Sequence, residues 1–352
     1  MNNDSAPEIT TQTNSKNNQS KRSTLGHWLA IIIILALLGV SALINIILIA
    51  VLAAEGVGSS SNDSKSYTEE CIYGKGKNKV VCIEAFGIIS FAKASSGLFQ
   101  EQGLATRIVK QIEAAEKDDD VIAILLIVDS PGGGVTASDI IYDKLSRFKN
   151  SKKGRKVVTL LRDLAASGGY YISAAADKII AHRTTVTGSI GVILSSYNIK
   201  KLGEKIGIKD VTVKSGKYKD ILNPFRDTSP EEISILQNVI NDLYNRFVEI
   251  VATNRNMTVA EVKKIANGSI YSAPHALLLG LIDEIGNFDT AVNSLKKLTG
   301  ENKIKIIKYK RNVSFFDLFS SKINLAPQVN FPLPERWKNQ SPSFQFLWQP
   351  EL

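Results

Sequence analysis

Residues 165–171 read Ala-Ala-Ser-Gly-Gly-Tyr-Tyr, a run of small side chains around one hydroxyl. The apolar segment 157–161 just before it is typical of a buried strand, and glycines permit the tight turn at which a strand passes into a helix. Ser167 is therefore the candidate nucleophile. Taken alone, a serine in this setting is more often a helix cap or a close packing point.

Short apolar runs and amphipathic stretches alternate on both sides of this motif. Apolar runs predict strands at 80–90, 121–128, 157–161 and 178–181. Helical spacing of apolar residues predicts helices at 103–117, 138–148, 230–254, 259–266, 274–279 and 289–298. Alternating strands and helices are typical of an α/β fold with a largely parallel sheet.

Residues 28–54 are almost wholly apolar and would span roughly 40 Å as a helix, enough to cross a bilayer. The apolar core of a cleaved signal peptide is only about 7 to 15 residues long, so we predict one uncleaved transmembrane helix. Lys16, Lys21 and Arg22 precede it, whereas Lys65 is the single basic residue in the twenty that follow. This asymmetry places the N-terminus in the cytoplasm and the rest outside the cytoplasmic membrane.

The composition divides the chain into five segments. We predict a cytoplasmic tail at 1–27, the anchor at 28–54 and a linker rich in Ser, Gly, Asn and Lys at 55–79. One globular domain follows at 80–300, and a C-terminal extension without clean periodicity at 301–352.

The net charge of +9 comes from lysines spread along the chain, without a basic block that alternates with aromatics. A solvated surface, or a face toward anionic lipid, is expected rather than a nucleic-acid site. Cys71 and Cys82 are the two cysteines, and their spacing allows either a disulfide or two free thiols. Without a CxxC pair or a Cys/His cluster we expect neither structural zinc nor a redox centre, and no cofactor.

Residues 128–134 read Val-Asp-Ser-Pro-Gly-Gly-Gly and follow an apolar strand. Bare backbone N–H groups at Gly132 and Gly133 could form an oxyanion hole, although an ordinary glycine turn would look the same. The motif is no Walker A loop, because Gly-Lys-Ser/Thr does not follow.

A serine nucleophile needs a base, and the three histidines are poorly placed for that role. His27 borders the apolar segment, while His182 and His275 are expected to pack or lie on the surface. A lysine can act instead if burial lowers its pKa. Residues 214–220 read Lys-Ser-Gly-Lys-Tyr-Lys-Asp, where chemistry alone does not separate Lys219 from its two lysine neighbours.

Four motifs, at 129–134, 165–171, 187–192 and 215–220, closely resemble those of the S49 serine peptidase family. The resemblance covers residues 80–298 and implies a crotonase/ClpP-like fold. It implies roles for single residues in the reaction: Ser167 as nucleophile, Lys219 as general base, Ser189 as the residue that orients the lysine, and Gly132 and Gly133 as the oxyanion hole.

The same resemblance implies a membrane-anchored serine endopeptidase that degrades signal peptides already cut from exported proteins. Each motif occurs once, as in the short form of the family, whose members form homo-oligomeric rings with active sites completed between neighbours. Two alternatives remain: a crotonase-type acyl-CoA enzyme, which would use carboxylates, and an inactive membrane scaffold of the same fold.

Overall fold

The computed structural model describes residues 20–56, 67–96, 99–311 and 344–348. The chain divides into two compact units, Met1–Asn62 and Asp63–Leu352. The first contains helix α1 (Ser20–Gly56), in which His27–Ile49 is long and apolar enough to cross a membrane. The polar Asn45 within this stretch donates its amide to the carbonyl of Ser41, 2.7 Å away, so its side chain has a partner inside the helix.

The second unit is built on strands and helices that alternate along the chain. Its strands are β1 (Tyr67–Gly74), β2 (Asn78–Phe86), β3 (Ala94–Ser96), β4 (Phe99–Glu101), β5 (Val121–Ser130), β6 (Gly132–Gly134), β7 (Lys156–Ala166), β8 (Lys178–Ala181), β9 (Val186–Gly188), β10 (Ile270–Ser272), β11 (Glu284–Ile285), β12 (Ile304–Arg311) and β13 (Gln345–Leu347). Its helices are α2 (Leu104–Lys117), α3 (Val135–Ser151), α4 (Gly168–Ser173), α5 (Lys200–Lys205), α6 (Pro230–Arg255), α7 (Val259–Ile265), α8 (Ala273–Leu278) and α9 (Phe288–Thr299). All the strands and helices expected from the sequence are present, most with ends shifted by a few residues.

The main sheet runs in the order β1-β12-β2-β5-β7-β8-β11, and β9 pairs with both β7 and β10. The central pairs β2/β5, β5/β7 and β7/β8 are parallel, as predicted, while β1/β12 and β9/β10 are antiparallel. β5 is apolar from Val121 to Val128 because both faces of the sheet are covered there. Its side chains alternate between two cores, with Ile124, Leu126 and Val128 in the larger one and Ala123, Leu125 and Ile127 in the one beneath α9.

Helix α6 begins where its sequence predicts. Ser229 Oγ accepts from the backbone N–H of Glu232 at 3.3 Å, and the Glu232 carboxylate accepts from the N–H of Ser229 at 2.8 Å. This reciprocal capping box, with Pro230 in the first turn, satisfies N–H groups that have no partner within the helix.

The main sheet extends beyond the domain boundaries predicted at 80 and 300. β1 lies inside the predicted linker 55–79, and β12 lies inside the predicted extension, yet the two pair along the edge of the main sheet. The sequence does not predict β1 because most of its side chains are exposed, so it lacks the apolar alternation of a core strand. The folded domain therefore includes residues from Tyr67 to Arg311.

The two cysteines are free thiols in the structure. Cys71 lies on β1 and Cys82 on β2, and β12 pairs between these two strands. Strands two apart are separated by roughly 10 Å, beyond the reach of a disulfide. Of the two alternatives that the sequence allows, a disulfide or two free thiols, the structure has the free thiols.

Candidate active site

Ser167 occupies the turn between β7 and α4, so the expected passage from strand to helix is confirmed. Its backbone angles are φ 53° and ψ −115°, a conformation that non-glycine residues rarely adopt and that clusters at functional sites. The turn is held from both sides: Ser167 N–H donates to the Gly188 carbonyl at 2.8 Å, and its own carbonyl accepts from Tyr171 N–H at 2.9 Å. Only 1% of the residue is exposed.

Ser189 lies beside Ser167 because their strands are neighbours. β7 and β9 pair in parallel with Ala166 opposite Gly188, so each serine directly follows one member of that pair. Ser189 also has a left-handed backbone, with φ 50°. Both serines line one cleft of about 500 Å³.

The glycine motif packs against the turn that carries Ser167. Gly132 has φ 103°, and a Cβ there would lie 2.6 Å from the Gly168 nitrogen and 2.0 Å from the Phe346 carbonyl oxygen. Only glycine fits such a position. The N–H of Gly132 donates to Ser130 Oγ at 3.0 Å, and Gly133, with φ 159°, continues beside it. Both predicted oxyanion glycines therefore lie next to the candidate nucleophile.

A strand from the C-terminal extension forms part of the wall of the cleft, to which it contributes Leu347 and Trp348. β13 pairs antiparallel with β6, and Gln345 exchanges two backbone hydrogen bonds with Ile193 on its other side, each 3.0 Å long. Trp348 N–H donates to the Pro131 carbonyl at 2.8 Å. β6 and Ile193 thus hold an extended chain between them through its backbone, which is the manner in which sheets bind peptides by strand addition.

The side chain of Phe346 is fully buried next to the cleft. Its ring stacks on Tyr171 and packs obliquely on Phe247, with centroids 4.8 Å apart in both pairs. Tyr171 is fixed in turn because its hydroxyl donates to Asp139 at 2.6 Å. The result is an aromatic pocket that accepts a large apolar side chain from an extended peptide.

The three lysines of 214–220 have different surroundings. Lys214 pairs with Asp220 at 2.6 Å, and Lys217 lies over the ring of Tyr218, 5.1 Å from its centroid. The contact with Tyr218 raises the pKa of Lys217. Lys219 is exposed and has no ion pair with any residue that the structure describes. Lys219 is also not among the described residues that line the cleft.

The histidines of the domain are remote from this chemistry. His182 is exposed after β8, with Nδ1 3.0 Å from Thr184 Oγ1. His275 is exposed on α8, where it packs against the ring of Tyr271. In the part of the chain that the structure describes, neither one lines the cleft.

Helix α6 contributes cleft residues that the sequence did not single out. Gln237, Asn241 and Tyr244 line the cleft opposite the serines, and Gln237 donates its amide to Asn241 Oδ1 at 2.9 Å. The apolar residues of α6 do not all face the core, since Ile233 in its first half is exposed. The available signal was a second stripe, since positions 237, 241 and 244 follow helical spacing.

Comparison with known protein families supports this architecture. Residues 149–302 match the model of peptidase family S49, and residues 97–197 match that of Clp protease. The mixed α/β sheet therefore has the predicted crotonase/ClpP-like fold.

Individual relatives agree with the family models. A signal peptide peptidase SppA assigned in Enterococcus faecium is 38% identical over 262 residues, which cover 74% of this chain and 76% of that protein. The chloroplastic serine protease SPPA of Arabidopsis thaliana is 30% identical over 70% of this chain and 36% of its own length. Protease 4 of Haemophilus influenzae is 32% identical over 64% of this chain and, again, 36% of its own. With a serine at a strained turn in a cleft that an extended strand helps to line, this chain belongs to peptidase family S49 and is a serine peptidase.

Proposed function

We propose that the protein is a membrane-anchored endopeptidase that uses Ser167 and Lys219 as a catalytic dyad and degrades cleaved signal peptides and similar membrane-associated peptides. The carrying observation is Ser167 at a strained turn, in a cleft whose wall includes a segment of the chain itself held as an extended strand. The substrate class rests on the name of the relative from Enterococcus faecium and on the aromatic pocket for large apolar side chains.

In this mechanism the neutral amine of Lys219 takes the proton of Ser167 as Oγ attacks the peptide carbonyl. The backbone N–H groups of Gly133 and of Gly168, at the start of α4, would stabilise the negative oxygen, joined by the N–H of Gly132 once it releases Ser130 Oγ. The C–N bond breaks as the lysine returns the proton to the leaving amine. Water then attacks the acyl-enzyme, loses its proton to Lys219 and regenerates the serine. Ser189, at the neighbouring strand end, would orient the lysine.

Lys219 is the best of the three lysines for this role. A general base must be free to lose its proton, whereas the Lys214 amine is engaged in an ion pair with Asp220, and the contact with Tyr218 raises the pKa of Lys217. Burial against a second surface would lower the pKa of the remaining amine, because an apolar environment disfavours the ammonium form.

A neighbouring copy of the chain would supply that surface. Val211 and Val213, shortly before Lys219, are 86% and 96% exposed. Apolar side chains this exposed are typical of protein interfaces. We therefore place the lysine of one protomer at the serine of the next, in a homo-oligomeric ring.

Helix α1 would anchor this ring in the bacterial cytoplasmic membrane. Basic residues before the apolar stretch favour a cytoplasmic N-terminus, which puts the peptidase domain on the outer side, where exported proteins lose their signal peptides. The strand bound in the cleft favours a peptide substrate over the thioester of an acyl-CoA enzyme.

Peptide cleavage by the full-length protein in detergent micelles tests the dyad. Ser167→Ala and Lys219→Ala should each abolish cleavage, while Lys217→Ala, the matched control, should retain it. The wild type should show activity that rises into alkaline pH, as a lysine base requires, whereas a limb near pH 6.5 would indicate histidine. Full activity in Lys219→Ala would disprove the dyad.

Mixing the two inactive variants tests whether sites are shared. In a ring assembled at random from equal amounts, about a quarter of the sites would combine an intact serine with an intact lysine from the neighbour. We expect cleavage to return to that fraction of the wild-type rate. A mixed assembly without activity would show that both residues must come from one chain.

A further inference from the structure

Arg226 joins the turn that carries Lys219 to the start of helix α6. Its guanidinium donates from Nε to Asp220 Oδ2 and from Nη2 to Asp220 Oδ1, both at 2.9 Å. On its other edge, Nη1 donates to Glu232 Oε2 at 2.8 Å, and Nη2 contacts the second oxygen of the same carboxylate. One planar side chain thus makes two bidentate pairs, which fix direction as well as distance.

Asp220 directly follows Lys219, so this fork acts on the backbone next to the proposed base. Nη2 of Arg226 also donates to the main-chain carbonyl of Asp220 at 2.9 Å. The side chains of Asp220 and Glu232 are only 12% and 3% exposed, which shields both pairs from water. Surface ion pairs stabilise little, whereas shielded bidentate pairs hold a defined geometry.

The turn needs such support because part of its backbone is strained. Leu222 has φ 63°, an unfavourable value for a large side chain. Local bonds from Lys219 N–H to the Gly216 carbonyl, 3.2 Å, and from Asn223 N–H to the Asp220 carbonyl, 3.0 Å, close the turn. Strained conformations persist where the surroundings hold them, and Arg226 supplies the strongest of these contacts.

The network is also balanced in charge. Arg226 and Lys214 face Asp220 and hold the pKa of its carboxyl well below the usual range. Helix α6 contributes Glu232, whose pKa Arg226 lowers to about 2. The other charged groups near the network are Lys217, Glu231, Asp210 and Asp227, of which Asp227 pairs with Lys200.

We propose that Arg226 is a positioning residue for Lys219, holding the turn that presents the amine and offsetting the carboxylate of Asp220 beside it. This inference rests on the proposed function of Lys219 as general base. Without Arg226, the carboxylates of Asp220 and Glu232 would outweigh the remaining cation of the network, Lys214, and would favour the ammonium form of Lys219. Without the Asp220 charge, Arg226 and Lys214 would destabilise it.

The test is the pH dependence of kcat for peptide cleavage by full-length protein in detergent micelles. Arg226→Gln should shift the alkaline limb to higher pH, and Asp220→Asn should shift it to lower pH, each by about 0.5 pH unit. The double variant Arg226→Gln/Asp220→Asn should return the limb close to its wild-type position. Arg226→Lys keeps the charge but not the fork, so the limb should stay while kcat falls about tenfold.

A purely structural role would lower kcat in these variants without moving the limb in opposite directions, and that result would overturn the proposal. If Arg226→Gln fails to fold, the other two variants test the proposal: the limb should move to lower pH in Asp220→Asn and should stay in place in Arg226→Lys. Lys219→Ala separates the two proposals. Activity in Lys219→Ala would refute the dyad itself. If Lys219→Ala is inactive but the alkaline limb does not move in the Arg226 and Asp220 variants, only the role of Arg226 is refuted.

Discussion

Replacing Phe346 with alanine should release the tail strand from the cleft. The ring is fully buried and lies 4.8 Å, centroid to centroid, from both Tyr171 and Phe247. Backbone pairing to β6 and Ile193 would remain possible, but such bonds largely exchange with those to water and contribute little net affinity. The aromatic side chain therefore provides most of the free energy that holds the strand.

The magnitude follows from the burial. Truncating a buried phenylalanine to alanine costs about 3 kcal/mol at the low end of the usual range. Since about 1.4 kcal/mol corresponds to a factor of ten, docking of the strand should weaken about a hundredfold. If the strand competes with substrate for the cleft, the apparent KM for an added peptide should fall by up to that factor while kcat stays similar.

Initial rates of cleavage of a short fluorogenic peptide, measured with full-length protein in detergent, would give both constants. Phe344→Ala is the matched control, because this aromatic residue belongs to the same tail but is only half-buried, so its effect should be smaller. Deletion of residues 312–352 should act in the same direction as Phe346→Ala. An unchanged KM in both Phe346→Ala and the deletion would refute competition, and an unchanged Tm in Phe346→Ala would refute the assigned burial energy.

Three further outcomes are expected. Gly132→Ala should lower peptide cleavage at least tenfold, because its Cβ would lie 2.0 and 2.6 Å from backbone atoms. Gly154 is the control, since it has a similar positive φ but open space around it, and Gly154→Ala should leave cleavage unchanged. Burial raises the pKa of the Cys82 thiol to about 12, whereas Cys71 is exposed. Maleimide at about pH 8 should therefore label only Cys71 in the folded protein and both cysteines after denaturation, which mass spectrometry would detect. The pKa of Glu232 lies at about 2 when folded, below its unfolded value of about 4.3, so its stabilisation is present above about pH 4 and is lost toward pH 2. Tm should fall across that interval, and Glu232→Gln should flatten this part of the curve.

Much of the fold could be predicted because its signals are local. Residues 121–128 are all apolar because β5 is covered on both faces of the sheet. The capping box at Ser229 marks the start of α6 in the sequence. Edge strands carry no such signal. β1 pairs on one side and leaves most side chains in water, so its residues looked like a linker.

The sequence by itself determined the apolar N-terminal helix, the alternating α/β pattern and the turn at Ser167, because each depends on residues close together in the chain. Only the tertiary structure decided that Ser189 lies beside Ser167, that a strand from the far end of the chain lines their cleft, and that Lys219 faces outward on a turn held by Arg226. These relations depend on which strands pair and which side chains are buried. Pairing and burial are set by the packing of distant segments, which no local pattern encodes.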